Sequence, residues 1–294
     1  MISQHELESF DLLQWLGTGE LAANQLCCNQ ATVSRQAHHV QETFGISLKR
    51  LPGGAYGLTG NDRLLRLERQ VHQLARFLGR RPMRLHLITG KGHLAEGLPH
   101  GWCCNPPSRL EPWVDGAALL DSYVLDACIM QRPQVVSLDP QRFCVIELLS
   151  SPLYLVSNDS HAFSHEKGIK AADLASQTEL IHLHVLPVAT RLATEQLHAS
   201  LIGEQRQVAT QFAKATYFAE CPITAKVYYV NALGLGLGLQ DRVCIDFDVK
   251  YTTSDYLVIL RENMEAPGIQ LLLDQLRLSL RATANRLPQL TCAL

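Results

Sequence analysis

No apolar run in this sequence of 294 residues reaches the roughly 20 residues that a membrane-spanning helix needs. The stretch from Met1 to Asp11 contains acidic side chains and lacks the apolar core of a secretory signal. The nine cysteines are an odd number, and without an export signal they favour a reduced chain over a disulfide-linked secreted one. We therefore expect a cytoplasmic protein with no membrane partner.

The sequence also lacks an excess of either charge: the formal net charge is only −2, and charged residues make up 18% of the chain. Hydrophobic residues reach 47%, which is enough for a sizeable core and excludes an intrinsically disordered chain. At this length the core is expected to divide into two or three compact units.

The usual signatures of catalysis and metal binding are missing. The pairs Cys27-Cys28 and Cys103-Cys104 are adjacent, which is not the spacing of a zinc site. No Gly-x-Ser-x-Gly, His-Glu-x-x-His or phosphate-loop motif occurs. The sequence therefore predicts no catalytic residue, metal or cofactor. The minor alternative is a hydrolase-type enzyme that uses cysteine and histidine, since His182 and His184 alternate on a predicted strand.

The basic residues are concentrated near one end of the chain. The stretch 35–84 has only three acidic residues, Glu42, Asp62 and Glu68. Its basic residues are Arg35, Lys49, Arg50, Arg63, Arg66, Arg69, Arg76, Arg80, Arg81 and Arg84. This asymmetry favours a polyanionic partner at that end of the protein.

Two short helices are predicted at the N-terminus. Apolar residues recur every three positions between residues 7 and 16, and Ser3 followed by Glu6 has the spacing of a capping box. A first helix is therefore expected over 3–16. A second helix, over 20–28, has its own apolar face.

Asn29 can cap a third helix from Gln30 to about Phe44, and Gly45 can end it in the left-handed conformation. With the second helix it makes a helix-turn-helix, whose second member enters the major groove of DNA. The face predicted for solvent carries Gln30, Thr32, Arg35, Gln36, His38 and His39, with Ser34 at its edge. Five of these residues are predicted to contact DNA: Gln30, Thr32, Ser34, Arg35 and His38. The alternative is a solvated face in an unrelated helical bundle.

A wing is predicted after the third helix. Ile46 to Arg50 and Tyr56 to Leu58 are expected to form two short strands around a Pro-Gly-Gly turn. Lys49 and Arg50 would then lie near the DNA backbone, and both are predicted DNA-binding residues.

A long helix is predicted from Asn61 to about Leu78, because Thr59 and Asp62 again have capping-box spacing. One stripe of this helix is apolar and consists of Leu64, Leu67, Val71, Leu74 and Leu78. Such a stripe needs a partner, so we expect a homodimer through this helix.

Beyond residue 83 the predicted strands and helices alternate, which is typical of an α/β domain. Arg84 to Thr89 is a predicted strand, and Trp113 to Met130 is a predicted helix. The turn after that strand is a candidate effector-binding site and consists of Thr89, Gly90, Lys91 and Gly92. Ligands of α/β domains bind beyond the carboxyl ends of strands, and free amides beside Lys91 favour an anionic ligand. The alternative is an ordinary strand-to-helix turn.

The residues from 22 to 59 resemble a known signature. It consists of Ala22-Ala23-x-x-Leu26-x-x-x-Gln30-x-x-Val33-Ser34-Arg35-Gln36, then Glu42-x-x-Gly45-x-x-Leu48-x-Arg50, then Leu58-Thr59. This pattern is similar to the N-terminal signature of LysR-type transcriptional regulators. Further along, Leu153-Tyr154-Leu155-Val156-Ser157 resembles the start of that family's crossover into its second lobe.

The resemblance implies an α/β protein with a winged helix-turn-helix DNA-binding domain at 1–60, a long linker and dimerisation helix at 61–82, and an effector-binding domain at 83–294. The last domain would be similar to periplasmic solute-binding proteins and have two lobes. Lobe I would cover about 83–150 and 250–294, and lobe II about 151–249. The family resemblance also implies a homotetramer.

The predicted function is sequence-specific regulation of transcription on double-stranded promoter DNA, under the control of a small-molecule effector. The alternative is a DNA-binding regulator that responds to a protein partner or acts constitutively.

Overall fold

The computed structural model of the chain describes residues 2–51, 56–88, 92–106, 114–158, 163, 165–177, 179–180, 182–183, 188–202, 212–213, 226–231, 242–287 and 289–293. The chain divides into two compact units. The first comprises Met1–Ile129, Asp139–Cys144 and Val258–Gln275. The second comprises Met130–Leu138, Val145–Leu257 and Leu276–Leu294.

Three helices open the first unit: α1 (Gln4–Leu16), α2 (Gly19–Gln25) and α3 (Gln30–Phe44). The predicted capping box of α1 is confirmed, because the Ser3 hydroxyl accepts from the Glu6 amide and the Glu6 carboxylate accepts from the Ser3 amide. The Asn29 side chain caps α3, and Gly45 ends it with a φ of 65°. These local signals set the boundaries of α1 and α3 as predicted, whereas α2 ends before the predicted Cys28.

An apolar core joins α1 to α3 and to the helix that follows the wing. Its buried members are Leu7, Phe10, Ala37, Val40, Ile46 and Leu65. Apart from Ala37, each of these side chains contributes about 1.5–3 kcal/mol when it is removed from water. Leu65 therefore fastens the linker helix to the helix-turn-helix.

The wing consists of β1 (Ser47–Arg50) and β2 (Tyr56–Thr59), which pair antiparallel, and α4 (Arg63–Phe77) follows. The capping box predicted for α4 is wrong, because the Asp62 side chain makes no capping hydrogen bond. Thr59 is instead the last residue of the ladder, opposite Ser47, and its hydroxyl donates to the Ser47 carbonyl at 3.4 Å. Thr59 therefore belongs to the wing and is not the N-terminal cap of α4 that its spacing from Asp62 predicts.

The α/β part of the first unit is built on parallel strands. Its elements are β3 (Met83–His86), a 3-10 helix (Gly92–Gly97), β4 (Trp102–Cys104), α5 (Gly116–Asp121) and β5 (Ala127–Gln131). β3 pairs parallel with both β4 and β5. The helix predicted from Trp113 to Met130 is wrong, because only α5 is helical and the run from Ala127 to Met130 is a buried strand. A short apolar run does not distinguish a strand covered on both faces from a buried helix.

The remaining elements, in chain order, are α6 (Arg132–Val135), β6 (Phe143–Asn158), α7 (Ala171–Gln177), β7 (Glu179–Leu180), β8 (His182–Leu183), α8 (Val188–Ile202), β9 (Phe212–Ala213), β10 (Lys226–Asn231), β11 (Arg242–Cys244), β12 (Thr252–Leu260), a 3-10 helix (Arg261–Asn263), α9 (Pro267–Arg286) and β13 (Thr291–Cys292).

In the second unit β6 pairs antiparallel with β10, β11 and β13, and β10 pairs parallel with β7. The core of this unit includes Leu155, Phe163, Leu174 and Val227. The predicted α/β fold is confirmed.

Among the residues that the structure describes, no helix combines the length and the apolarity that crossing a membrane would require.

Candidate nucleic-acid interface

Side-chain caps begin both helices of the helix-turn-helix, α2 and α3. The Thr18 hydroxyl accepts from the Leu21 amide at 3.2 Å. At the start of α3, the side-chain oxygen Oδ1 of Asn29 accepts from the Thr32 amide at 2.8 Å and from the Thr32 hydroxyl at 3.0 Å. The first turn of α3 is therefore held in one conformation by its own residues.

The structure brings the predicted DNA-contacting residues of α3 onto one accessible face. Gln30, Ser34, Arg35 and His38 are exposed, and Thr32 is half-buried. His38 Nε2 lies 3.3 Å from Glu42 Oε1, one turn further along the helix. The opposite face carries the buried Val33, Ala37 and Val40, as the sequence predicts.

Two residues that the sequence places on the solvent face, the partly exposed Gln36 and the exposed His39, also contact α1. The Ser9 hydroxyl donates to Gln36 Oε1 at 2.6 Å, and His39 Nδ1 lies 2.7 Å from Glu6 Oε1. Hydrogen bonds from the Ser3 backbone and hydroxyl, together with His39, lower the pKa of the Glu6 carboxyl to about 2. These polar contacts hold α3 on α1 at the edge of the apolar core.

The wing carries two of the predicted contacts. Lys49 and Arg50 are both exposed on β1. Arg50 Nη2 also donates to the Gly17 carbonyl at 3.3 Å, and its guanidinium lies 5.7 Å from the centre of the Tyr56 ring. Arg50 therefore fastens the wing to the end of α1.

The concentration of basic residues between 35 and 84 is only partly a surface feature. Arg69, Arg76 and Arg84 are buried and are paired with Asp11 and Asp126. The exposed members of the run are Arg35, Lys49, Arg50, Arg63 and Arg80. Fewer positive charges are therefore accessible to a polyanionic partner than the sequence alone indicates.

One half of the buried ion-pair network centres on Asp11 in α1. Asp11 Oδ1 accepts from Arg69 Nε at 2.8 Å, and Asp11 Oδ2 lies 3.3 Å from Arg84 Nη1. The Gln14 side chain accepts from Arg69 Nη2 at 2.7 Å. Burial lowers the pKa of Arg69, and the neighbouring Arg84 adds to this effect, while Asp11 opposes it.

The other half centres on Asp126, which precedes β5. Asp126 accepts from Arg76 Nε at 2.7 Å and from Arg76 Nη2 at 3.0 Å, and it also accepts from the Arg84 amide at 2.8 Å. Gln73 Nε2 donates to the same carboxylate at 3.1 Å. Burial disfavours the charged form of Arg76, but this two-point pairing outweighs burial and raises the pKa of Arg76.

A buried histidine lies next to this network. His86, the last residue of β3, has Nδ1 at 3.2 Å from Trp15 Nε1 in α1. Because the indole nitrogen only donates, His86 accepts through Nδ1 and is the neutral tautomer with its proton on Nε2. Burial lowers the pKa of His86 to about 4.

The predicted effector turn lies almost wholly outside the described residues. Thr89, Gly90 and Lys91 are among the undescribed positions, and Gly92 begins the 3-10 helix. The strand that leads to the turn is parallel to both neighbours, as the expectation of a ligand beyond its carboxyl end requires. Just after β3, the Leu87 amide donates to the Asn105 side chain at 2.7 Å, and the Leu87 carbonyl accepts from it at 2.9 Å.

Two of the cysteines bear on the enzyme alternative. Burial raises the pKa of the Cys103 thiol to about 11 and raises that of the Cys128 thiol further. A thiol must lose its proton to act as a nucleophile, so both groups are poor candidates. Within the described ranges, no group of three or more His, Cys, Asp or Glu side chains could hold a metal ion.

No protein-family model matches the chain, and no curated protein matches it either. Solved structures match over nearly the whole length. CbnR, a LysR family transcriptional regulator, is 16% identical with a TM-score of 0.52, covering 95% of this chain and 99% of that one. A variant of full-length BenM is 15% identical with a TM-score of 0.53, covering 100% of both chains. A variant of full-length OxyR from Pseudomonas aeruginosa is 13% identical with a TM-score of 0.53, covering 95% of this chain and 98% of that one.

CbnR has also been solved in complex with its target DNA, and that structure is 16% identical to this chain with a TM-score of 0.51. At these identities the likeness concerns the fold. The resemblance predicted from residues 22–59 is thus confirmed at the level of the fold, which is that of full-length LysR-type regulators.

Proposed function

We propose that this chain, which has the fold of full-length LysR-type regulators, is a sequence-specific DNA-binding regulator of transcription. The observation that carries the proposal is the exposed start of α3, where Gln30, Ser34 and Arg35 stand on a helix that both its caps and its core hold in place. Arginine and glutamine reach guanine and adenine edges in the major groove, and Lys49 in the adjacent wing suits a phosphate.

The first test is Arg35→Ala. If Arg35 reaches a guanine, its loss weakens binding to a selected duplex by about 1–3 kcal/mol and relaxes the preference at that base. The binding site is obtained by selection from random duplexes, and affinities are compared at one salt concentration because phosphate contacts depend on salt.

Arg286→Ala is the matched control, since it removes an exposed arginine at the end of α9. Its affinity is expected to equal that of the wild type. Equal affinities of wild type and Arg35→Ala would take Arg35 out of the interface.

We further propose that α4 forms a two-fold dimer. The apolar stripe of α4 is exposed in the single chain, with Leu64 at 67%, Leu67 at 53%, Val71 at 64%, Leu74 at 59% and Leu78 at 68%. The opposite face of α4 is occupied by Leu65 and the buried ion-pair network. A second copy of the chain would cover the stripe and present two recognition helices to a roughly palindromic site, and contacts between effector domains would complete a tetramer.

The double variant Leu67→Glu with Leu74→Glu is expected to be monomeric at micromolar concentration, whereas the wild type sediments as a dimer or tetramer. Two carboxylates on each helix would be desolvated and repel one another in the dimer. Leu278→Glu, at a leucine that is 64% exposed on α9, is the control for a surface charge. A monomeric wild type would overturn the dimer.

Control by a small-molecule effector is the last part of this proposal. Its support is the fold, in which an α/β region follows the DNA-binding part, and the parallel strand β3 that leads to the turn Thr89–Gly92. A ligand changes DNA affinity only through its different affinities for two conformations, and such coupling is typically about 1–3 kcal/mol. Response to a protein partner or constitutive action would leave DNA affinity unchanged by any metabolite.

A further inference from the structure

A cavity of about 360 Å³ lies inside the first unit, between the wing, the linker helix α4 and α5. Its apolar walls include Leu51, Leu58 and Leu119, and its polar wall includes Asp62 and Arg69. This volume falls within the range of about 300–1,000 Å³ that is usual for small-molecule sites.

Two of the charged groups in the wall already satisfy each other. Arg66 Nη1 lies 3.0 Å from Asp121 Oδ2, and Arg66 Nη2 donates to the Asp121 carbonyl at 2.9 Å. Asp121 also accepts from Arg142 Nε at 2.9 Å. Arg66 and Asp121 therefore form part of the wall and are not its ligand-binding groups.

Two other charged groups have unused hydrogen-bonding capacity. Arg69 is fully buried, and within the described part of the chain its Nη1 atom has no hydrogen-bond partner. Asp62, at the start of α4, makes no capping hydrogen bond with its side chain. A buried guanidinium N–H without an acceptor costs stability, so an acceptor from a ligand would be favourable here.

The signs of the charges decide the class of ligand. With the Arg66–Asp121 pair set aside, a simple anion would supply an acceptor to Arg69 but would meet Asp62 and Asp115, which outnumber the one remaining arginine in the wall. A simple cation would pair with Asp62 and leave Arg69 Nη1 without an acceptor. A zwitterion satisfies both groups, and the leucine side chains of the wall suit an apolar substituent on it.

We propose that this cavity binds an amino acid with an apolar side chain, whose carboxylate accepts from Arg69 Nη1 and whose ammonium group pairs with Asp62. Leu51 and Leu58 belong to the wing region, which is part of the proposed DNA-binding surface. We therefore expect a ligand in the cavity to change the affinity of the protein for DNA. That consequence rests on the proposed function, whereas the binding itself does not.

The test is titration calorimetry on the full chain with alanine, valine, leucine, isoleucine, methionine and phenylalanine as probes. At least one of them binds, and the better probes have the larger side chains. For leucine the matched analogues are 4-methylpentanoate, which lacks the ammonium group, and 3-methylbutylamine, which lacks the carboxylate. Each is expected to bind at least about tenfold more weakly, because each loses one charge-assisted hydrogen bond.

Two variants place the ligand. Asp62→Asn keeps a residue that is favoured at a helix N-cap and is expected to weaken binding at least about tenfold. Ala118→Phe fills the cavity from the exposed side of α5 and is expected to abolish binding. Ala282→Phe makes the same change at an exposed site on α9 and is expected to bind normally.

Three outcomes overturn the proposal: none of the six amino acids binds, either analogue binds as tightly as its amino acid, or both cavity variants bind like the wild type. Failure of the proposed function looks different. If the chain binds leucine but selects no DNA sequence, the amino-acid site is supported and the proposed regulatory function is contradicted. If it selects a DNA sequence but binds no amino acid, the regulatory function is supported and the amino-acid site is contradicted.

Discussion

Replacing Asp11 with alanine is expected to lower the free energy of unfolding by about 3–5 kcal/mol. Asp11 is 1% exposed and is the carboxylate partner of two buried guanidinium groups, Arg69 at 2.8 Å and Arg84 at 3.3 Å. Without it both positive charges remain buried with one counter-ion fewer, and their mutual repulsion is no longer offset. Denaturant unfolding of the full chain at constant pH measures the difference.

Glu42→Ala is the control for removal of a paired carboxylate. Glu42 lies 3.3 Å from His38, with side-chain exposures of 64% and 71%, and exposed pairs of this kind contribute about 0–1 kcal/mol. Asp11→Asn is a second, more conservative variant, which keeps the shape of the side chain and removes its charge. If Asp11→Ala and Glu42→Ala unfold at the same denaturant concentration, the buried ion-pair network does not stabilise the first unit.

A second large effect is expected from pH, acting through His86. Burial holds the pKa of His86 near 4, below the ordinary value of 6.5, because the folded protein disfavours its charged form. Well above pH 6.5 the residue is neutral in both the folded and the unfolded state, and its contribution to stability is fully present. As pH falls from 6.5 towards 4, the unfolded chain takes up a proton that the folded chain does not, so stability is lost, by about 3 kcal/mol in total.

The variant His86→Asn isolates this effect. Asparagine does not titrate and can still offer an oxygen to the Trp15 N–H, which His86 Nδ1 accepts at 3.2 Å. The difference in unfolding free energy between wild type and His86→Asn is therefore expected to shift in favour of the variant as pH falls from 7 to 4. Other titrating groups cancel in that difference. His100→Asn, at an exposed site, is the control, and a difference for His86→Asn that is constant with pH would contradict the argument.

The sequence alone determined the helix-turn-helix, because its signals are local. The Ser3–Glu6 capping box, the Asn29 cap and the left-handed Gly45 each involve residues within one helical turn, and all three are present in the structure. The spacing of apolar residues likewise separated the buried face of α3 from its exposed face. At the end of the wing the local signal failed, since Thr59 and Asp62 have the spacing of a cap but Thr59 pairs with Ser47 across the wing.

The tertiary structure alone decided the fate of the charged residues on α4. Arg69, Gln73 and Arg76 recur at helical spacing, and a polar row of this kind is normally solvated, so the sequence counted the arginines as surface charge. Their partners Asp11 and Asp126 lie 58 and 50 positions away in the chain. A charged side chain is buried where an opposite charge lies next to it in the folded protein. No local sequence pattern indicates which residues so far apart in the chain will form such a pair. The same packing of the wing, α4 and α5 forms the walls of the cavity beside Asp62 and Arg69, which no local pattern in the sequence indicates.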